Sequence, residues 1–171
     1  ALVEAYDNLL EANQSDWLVR ETTLYLKRTL KRVDVSARSL IALVEPGSCF
    51  TGTLLELVFI ADRSYMLDGQ MEGSNLPAPA VRMTGMNFGP YPMCNGLTRL
   101  ETRLYGEPEL VEAGKAAIGR DLEAIDADEA GLVTFAPDDI DWEDEVRLAI
   151  EERASFSPDG LTGLEANLRF A

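Results

Sequence analysis

A carboxylate follows two small-residue amides by three and four positions in the stretch Glu45-Pro46-Gly47-Ser48-Cys49-Phe50-Thr51-Gly52-Thr53-Leu54-Leu55-Glu56-Leu57. Residues 54–61 are apolar apart from Glu56, so one carboxylate enters a helix that reads as buried. The first-turn N–H groups of that helix, at Gly52 and Thr53, lack intrahelical acceptors and favour negative charge just beyond the preceding strand. Desolvation would raise the pKa of Glu56 toward the operating pH, which suits proton transfer. The stretch is therefore equipped to stabilise an oxyanion and to move a proton. The other role open to Glu56 is that of a hydrogen-bonded carboxylate that only holds the turn.

Periodicity supplies the elements that must position this turn. Residues 40–44 form a continuous apolar run, short enough for a strand covered on both faces. Before it, residues 2–13 and 16–33 read as two helices, the second capped by Ser15 or Asp16, with Leu18, Thr22, Leu26, Leu30 and Val33 as its inner stripe. After the helix at 52–61, residues 63–67 predict a second strand, 68–79 a surface excursion rich in Gly, Pro, Asn and Ser, 81–83 a short third strand, and 85–92 an irregular loop. Asn95 is placed to cap a helix running to Tyr105 and stopped by Gly106. Helices near 108–118 and 122–130 precede a predicted strand at 132–135, residues 138–153 are amphipathic, and Ser157-Pro158 opens a last helix. Strands alternating with helices predict an α/β fold, with no linker or repeat to divide 1–171 into two domains. The uncapped start and the end without a terminator read as those of an internal piece of a longer protein.

Composition removes several kinds of function. The net charge of −15 argues against nucleic acid, which needs clustered Lys and Arg across a face. Residues 107–153 hold sixteen Asp plus Glu against four Lys plus Arg, whereas residues 1–38 hold six of each. The acidic part reads as a solvated helical surface, as does the basic face around Lys27 and Lys31. There is no histidine, so a Ser-His-Asp or Cys-His arrangement cannot be built and the usual zinc and iron sites lose their commonest ligand; no metal is expected. Cys49 and Cys94 are too few for a disulfide framework and sit in apolar settings that suit reduced, buried thiols. No apolar run reaches the roughly 18 residues needed to cross a bilayer. With no signal-peptide pattern, a cytoplasmic location is expected.

Gly52 four residues before Glu56, then Leu57, with Asp62 six residues past Glu56, resembles the crotonase (enoyl-CoA hydratase/isomerase) superfamily. Pro92 followed by Asn95-Gly96-Leu97-Thr98-Arg99-Leu100, and Ala130-Gly131-Leu132-Val133, resemble two further segments of that superfamily in the right order. Within it, residues 39–67, Asn87-Phe88-Gly89-Pro90-Tyr91-Pro92-Met93 and residues 132–171 are similar to the benzoyl-CoA-dihydrodiol lyase family, whose members are much longer at both ends. The resemblance implies a spiral of β-β-α units, incomplete at its N-terminal side, as one partial domain with a C-terminal helical extension. It implies an aromatic acyl-CoA substrate whose CoA is the handle, no separate cofactor, and assembly into a homo-oligomer. The implied reaction is hydrolytic ring opening of 2,3-epoxy-2,3-dihydrobenzoyl-CoA to an aliphatic semialdehyde thioester and formate.

Carried onto this chain, the resemblance makes Thr53, beside Gly52, one amide donor of an oxyanion hole and Glu56 the leading catalytic residue. Cys49, Asn87 and Asn95 flank the matched segments as substrate-contact candidates. Hydratases of the superfamily use a second glutamate, and seven residues before Pro92 this chain has Gly85. Glu45, at the strand end, is the better substitute, and Glu72 the weaker. The alternatives are a general enoyl-CoA hydratase or isomerase, against which Gly85 stands, and a non-catalytic module that keeps the fold.

Overall fold

The computed structural model describes residues 1–36, 38–71 and 73–169. Helices α1 (Leu2–Ala12) and α2 (Trp17–Asp34) come first, separated by a tight break. Asp16 caps α2, its Oδ1 accepting from Leu18 N at 2.8 Å and Val19 N at 3.2 Å, so two donors left over by helix geometry are satisfied at the break. The buried line of α2 runs through Thr23, Leu30 and Asp34, with Val19, Leu26 and Val33 packed beside it. Leu18 and Thr22 face solvent instead, so the predicted stripe is rotated: two polar residues hold inward positions that an apolar count skips.

Strands β1 (Ile41–Val44) and β2 (Arg63–Met66) pair in parallel, Ile41 opposite Arg63 and Val44 opposite Met66. Between them the chain makes a short 3₁₀ turn at Gly52–Leu54 and helix α3 (Glu56–Ile60), a βαβ crossover in miniature. Ala42 and Val44 face the main core with Leu55, Val58 and Met66. Ile41 and Leu43 pack on the other side, against a cluster built on Tyr65, Leu67, Trp142 and Ala149. The expectation of a strand covered on both faces therefore holds, more tightly on one side than on the other. The helix after the turn is less uniformly buried than predicted, because Leu54 and Leu57 are exposed.

β3 (Val81–Arg82) pairs antiparallel with β4 (Asp121–Leu122). A second 3₁₀ turn, Gly85–Asn87, occupies the loop expected to be irregular. α4 (Arg99–Arg103) is shorter than predicted and starts later. Thr98 caps it in a reciprocal box with Glu101, whose carboxylate accepts from Thr98 N at 2.7 Å, so Asn95 is not the cap. Asn95 instead closes a local turn by accepting from Leu97 N at 3.0 Å. α5 (Pro108–Ala116) and α6 (Ala124–Glu129) follow.

Residues 132–135, predicted as a strand, pair only through an isolated bridge from Phe135 to Tyr65, with Thr134 N and Phe135 N both donating to Ser64 O. Leu132 and Val133 are nevertheless core residues, so the apolar run reports burial rather than strand pairing. α7 (Trp142–Ser155) closes the outer face of β2 through Trp142 and Ala149, and α8 (Pro158–Arg169) ends the described chain. Among the described residues no helix is long and apolar enough to cross a membrane.

Candidate functional site

The two 3₁₀ turns lie side by side, and the polar groups between them are buried. Asn87 ties them together: its Nδ2 donates to Gly52 O at 2.9 Å and to Glu56 Oε1 at 2.7 Å, while its Oδ1 accepts from Thr84 N at 3.0 Å. The other oxygen of Glu56 accepts from Arg99 Nη1 at 2.8 Å. Arg99 also grips Asp34 with both Nε (2.8 Å) and Nη2 (2.7 Å), and Nη1 further donates to Tyr91 O at 3.0 Å. The Arg99 and Glu56 side chains are each 1% exposed and that of Asp34 5%. Burial holds the Glu56 carboxyl above its ordinary value, opposed by the Asn87 hydrogen bond and the Arg99 charge.

A second carboxylate, from α1, reaches the same place. Asp7 is 1% exposed, and its Oδ2 accepts from Thr53 N at 2.8 Å and from Thr84 Oγ1 at 2.7 Å, while Oδ1 accepts from Thr53 Oγ1 at 2.6 Å. The single hydroxyl proton of Thr53 is thereby used, so Tyr91 OH, 3.0 Å away, is the donor in its bond to Thr53 Oγ1. Burial first, and the Asp7 and Glu56 carboxylates after it, push the Tyr91 phenol up to about 12. The geometry explains the glycine at 52, and at 85 a Cβ would meet only the movable end of an exposed side chain. A Cβ on Gly52, whose φ is +48°, would collide with the Asp7 carboxylate and the Thr84 side chain. A Cβ on Gly85 would collide with the carboxylate of Glu11, one helical turn beyond Asp7. The exposed Glu11 side chain of α1 thus lies beside residue 85.

The sequence-predicted residues divide. Gly52, Thr53, Glu56 and Asn87 are brought together. Glu45 and Cys49 are exposed on the turn after β1, Asn95 is exposed beyond Tyr91, and none of the three joins the network. Cys94 is exposed as well, so neither thiol is the buried packing residue the sequence implied. Glu72 lies outside the described residues. Asp7, Glu11, Asp34 and the pairing role of Arg99 went unread. For Asp7 and Asp34 the available signal was an acid on the inward face of an amphipathic helix, where charge is rare unless paired.

The chain that carries this arrangement has the crotonase fold. Enoyl-CoA hydratases of Bacillus halodurans (TM-score 0.65, 15% identity, 96% of this chain and 61% of that one) and Bacillus anthracis (TM-score 0.61, 20% identity, 90% and 54%) superpose on it. So does a methylmalonyl CoA decarboxylase (TM-score 0.59, 18% identity, 84% and 50%). In sequence the chain is 58% identical over 164 residues to a benzoyl-CoA-dihydrodiol lyase of Aromatoleum evansii, across 96% of this chain and 29% of that protein. The chain thus spans less than a third of that relative's length. No family model matches it.

Proposed function

We propose that this chain is a segment of a CoA-thioester lyase that uses water to open 2,3-epoxy-2,3-dihydrobenzoyl-CoA, giving 3,4-didehydroadipyl-CoA semialdehyde and formate. The single observation that carries this reading is the 58% identity to a benzoyl-CoA-dihydrodiol lyase over almost the whole chain. The test is an assay of the purified full-length protein with the epoxide and with crotonyl-CoA. Ring opening with little hydration of crotonyl-CoA supports the lyase. Fast hydration of crotonyl-CoA with the epoxide left intact supports a general enoyl-CoA hydratase instead.

Within that enzyme the turn is best explained as a framework that positions its surroundings. The supporting observation is saturation: Thr53 N–H already holds Asp7, and both oxygens of Glu56 are engaged by Asn87 and Arg99. A substrate oxygen would have to displace an internal carboxylate that three donors hold. Breaking such charge-assisted contacts costs on the order of several kcal/mol. A second reading rests on the raised pKa of Glu56 and on the anion seated at Thr53 N. In it α1 withdraws, Thr53 N–H polarises the thioester oxygen, and Glu56 moves a proton, with Glu45 as an auxiliary base. Glu56→Gln in the full-length protein separates the two.

A further inference from the structure

At the C-terminal end of α3, bordered by Asp34 and Arg99 of the Glu56 network, lies a cavity of about 670 Å³, within the size range of small-molecule sites. Three guanidinium groups line it, Arg99, Arg103 and Arg153, in a chain whose net charge is −15. Arg99 is accounted for by Asp34 and Glu56. The other two are less completely paired. Arg103 donates through Nε to Gly131 O at 2.6 Å and through Nη2 to Thr134 Oγ1 at 3.3 Å, both neutral acceptors. Among the described residues no ion pair neutralises it, and burial lowers its pKa, as expected of a desolvated cation without a counter-charge.

Arg153, from α7, has a buried Nε with no hydrogen-bond partner among the described residues. Its ion-pair contact among the described residues is long, 3.7 Å from Nη2 to Asp62 Oδ2, and that carboxylate oxygen also accepts from Leu40 N at 2.7 Å. A buried guanidinium donor left unmade is costly, so an acceptor on a bound water or a bound molecule is favoured beside it. Asp34 and Asp62 lie in the same wall, the first held by Arg99 and the second beside Arg153, and Phe59, Met93, Leu97 and Tyr105 make its apolar part.

We propose that this cavity binds the oxyanion end of a small organic molecule, a phosphate or a carboxylate on an apolar body. Arg103 and Arg153 take the oxyanion by forked hydrogen bonds, and Phe59, Met93 and Leu97 cover the body. Phosphate and carboxylate present the same planar or near-planar pair of oxygens to a guanidinium, so both arms must be measured. The cavity shares Arg99 and Asp34 with the network around Glu56, but among the described residues Arg103 and Arg153, which take the oxyanion, make no hydrogen bond within that network.

The test is calorimetric titration of the full-length protein with phenyl phosphate, benzoate, inorganic phosphate and benzyl alcohol as the neutral analogue. At least one organic oxyanion is expected to bind at least tenfold more tightly than benzyl alcohol, with the stronger of phenyl phosphate and benzoate identifying the oxyanion. Arg153→Gln is expected to weaken that binding at least tenfold. Arg153→Gln gives up the long contact to Asp62, so its fold, like that of the second variant Arg103→Gln, is checked by thermal unfolding. Absence of binding by both organic oxyanions overturns the proposal. So does equal binding of benzyl alcohol, or an Arg153→Gln protein that binds as the parent does.

Discussion

Arg99→Met asks the most of the network, because one cation there serves two buried carboxylates. The substitution keeps an unbranched side chain of similar length. It deletes the bidentate grip on Asp34, the bond to Glu56 Oε2 and the bond to Tyr91 O. Asp34 and Glu56 then remain almost fully buried with no counter-charge. Removing one partner of a buried pair typically costs about 3–5 kcal/mol, and here two acids lose the same partner, so the upper part of that range is expected near pH 7.

The pH dependence has a definite sign. Burial already raises the folded-state pKa of Glu56 above its ordinary 4.5, and losing the Arg99 charge removes one of the opposing influences. A group whose folded pKa lies above its unfolded value stabilises the fold fully below the unfolded value and loses that contribution as pH rises through the folded one. The deficit of Arg99→Met should therefore grow as pH rises through the already raised folded-state value of Glu56 and beyond, by up to about 1.4 kcal/mol for each unit of added shift. Denaturant unfolding of the full-length protein and the variant between pH 4.5 and 8 reads this directly. Adding Asp34→Asn and Glu56→Gln to Arg99→Met should recover most of the loss. A deficit under about 1 kcal/mol at pH 7, or one that shrinks as pH rises, would refute the reasoning.

Other perturbations follow from the same contacts. Gly52→Ala places a Cβ into Asp7 and Thr84 at a residue with φ of +48°, so a loss above about 2 kcal/mol is expected in thermal unfolding. Asp7→Asn keeps the shape but turns one acceptor into a donor facing Thr53 or Thr84, which should cost roughly 2–3 kcal/mol. It should also lower the pKa of Tyr91 from about 12, readable by ultraviolet titration against the Tyr91→Phe protein, because the Asp7 charge is one cause of that shift. Thr98→Ala removes the reciprocal cap of α4 and should cost about 1 kcal/mol by the same unfolding assay.

Legibility from the sequence followed the range of the forces involved. The strand–turn–helix unit at residues 41–60 was readable because apolar runs and small-residue turns are local signals. β4 was not, since a two-residue strand has no period to detect, and its place is set by pairing with Val81 and Arg82 some forty positions earlier. The stripe of α2 was misphased because Thr23 and Asp34 face inward, their partners being Gln14 and, 65 residues on, Arg99. The site was half legible. Gly52, Thr53, Glu56 and Asn87 lie in recognisable segments, whereas Asp7 and Glu11 reach the turn only through the docking of α1, which no short-range pattern encodes. The expectation for Cys49 failed because an apolar sequence neighbour does not bury a residue at the tip of a turn.

The framework account is tested most directly by turnover of the epoxide by the full-length protein carrying Glu56→Gln, measured well below its unfolding transition. Gln can still accept from Arg99, but its amide then faces Asn87 Nδ2, whose own oxygen is committed to Thr84 N. The account predicts kcat/KM within about threefold of the parent, together with a lower unfolding temperature from one mismatched buried contact. A fall in kcat of a hundredfold or more with the unfolding transition unchanged, the size expected on removing a proton-transfer group, would contradict it.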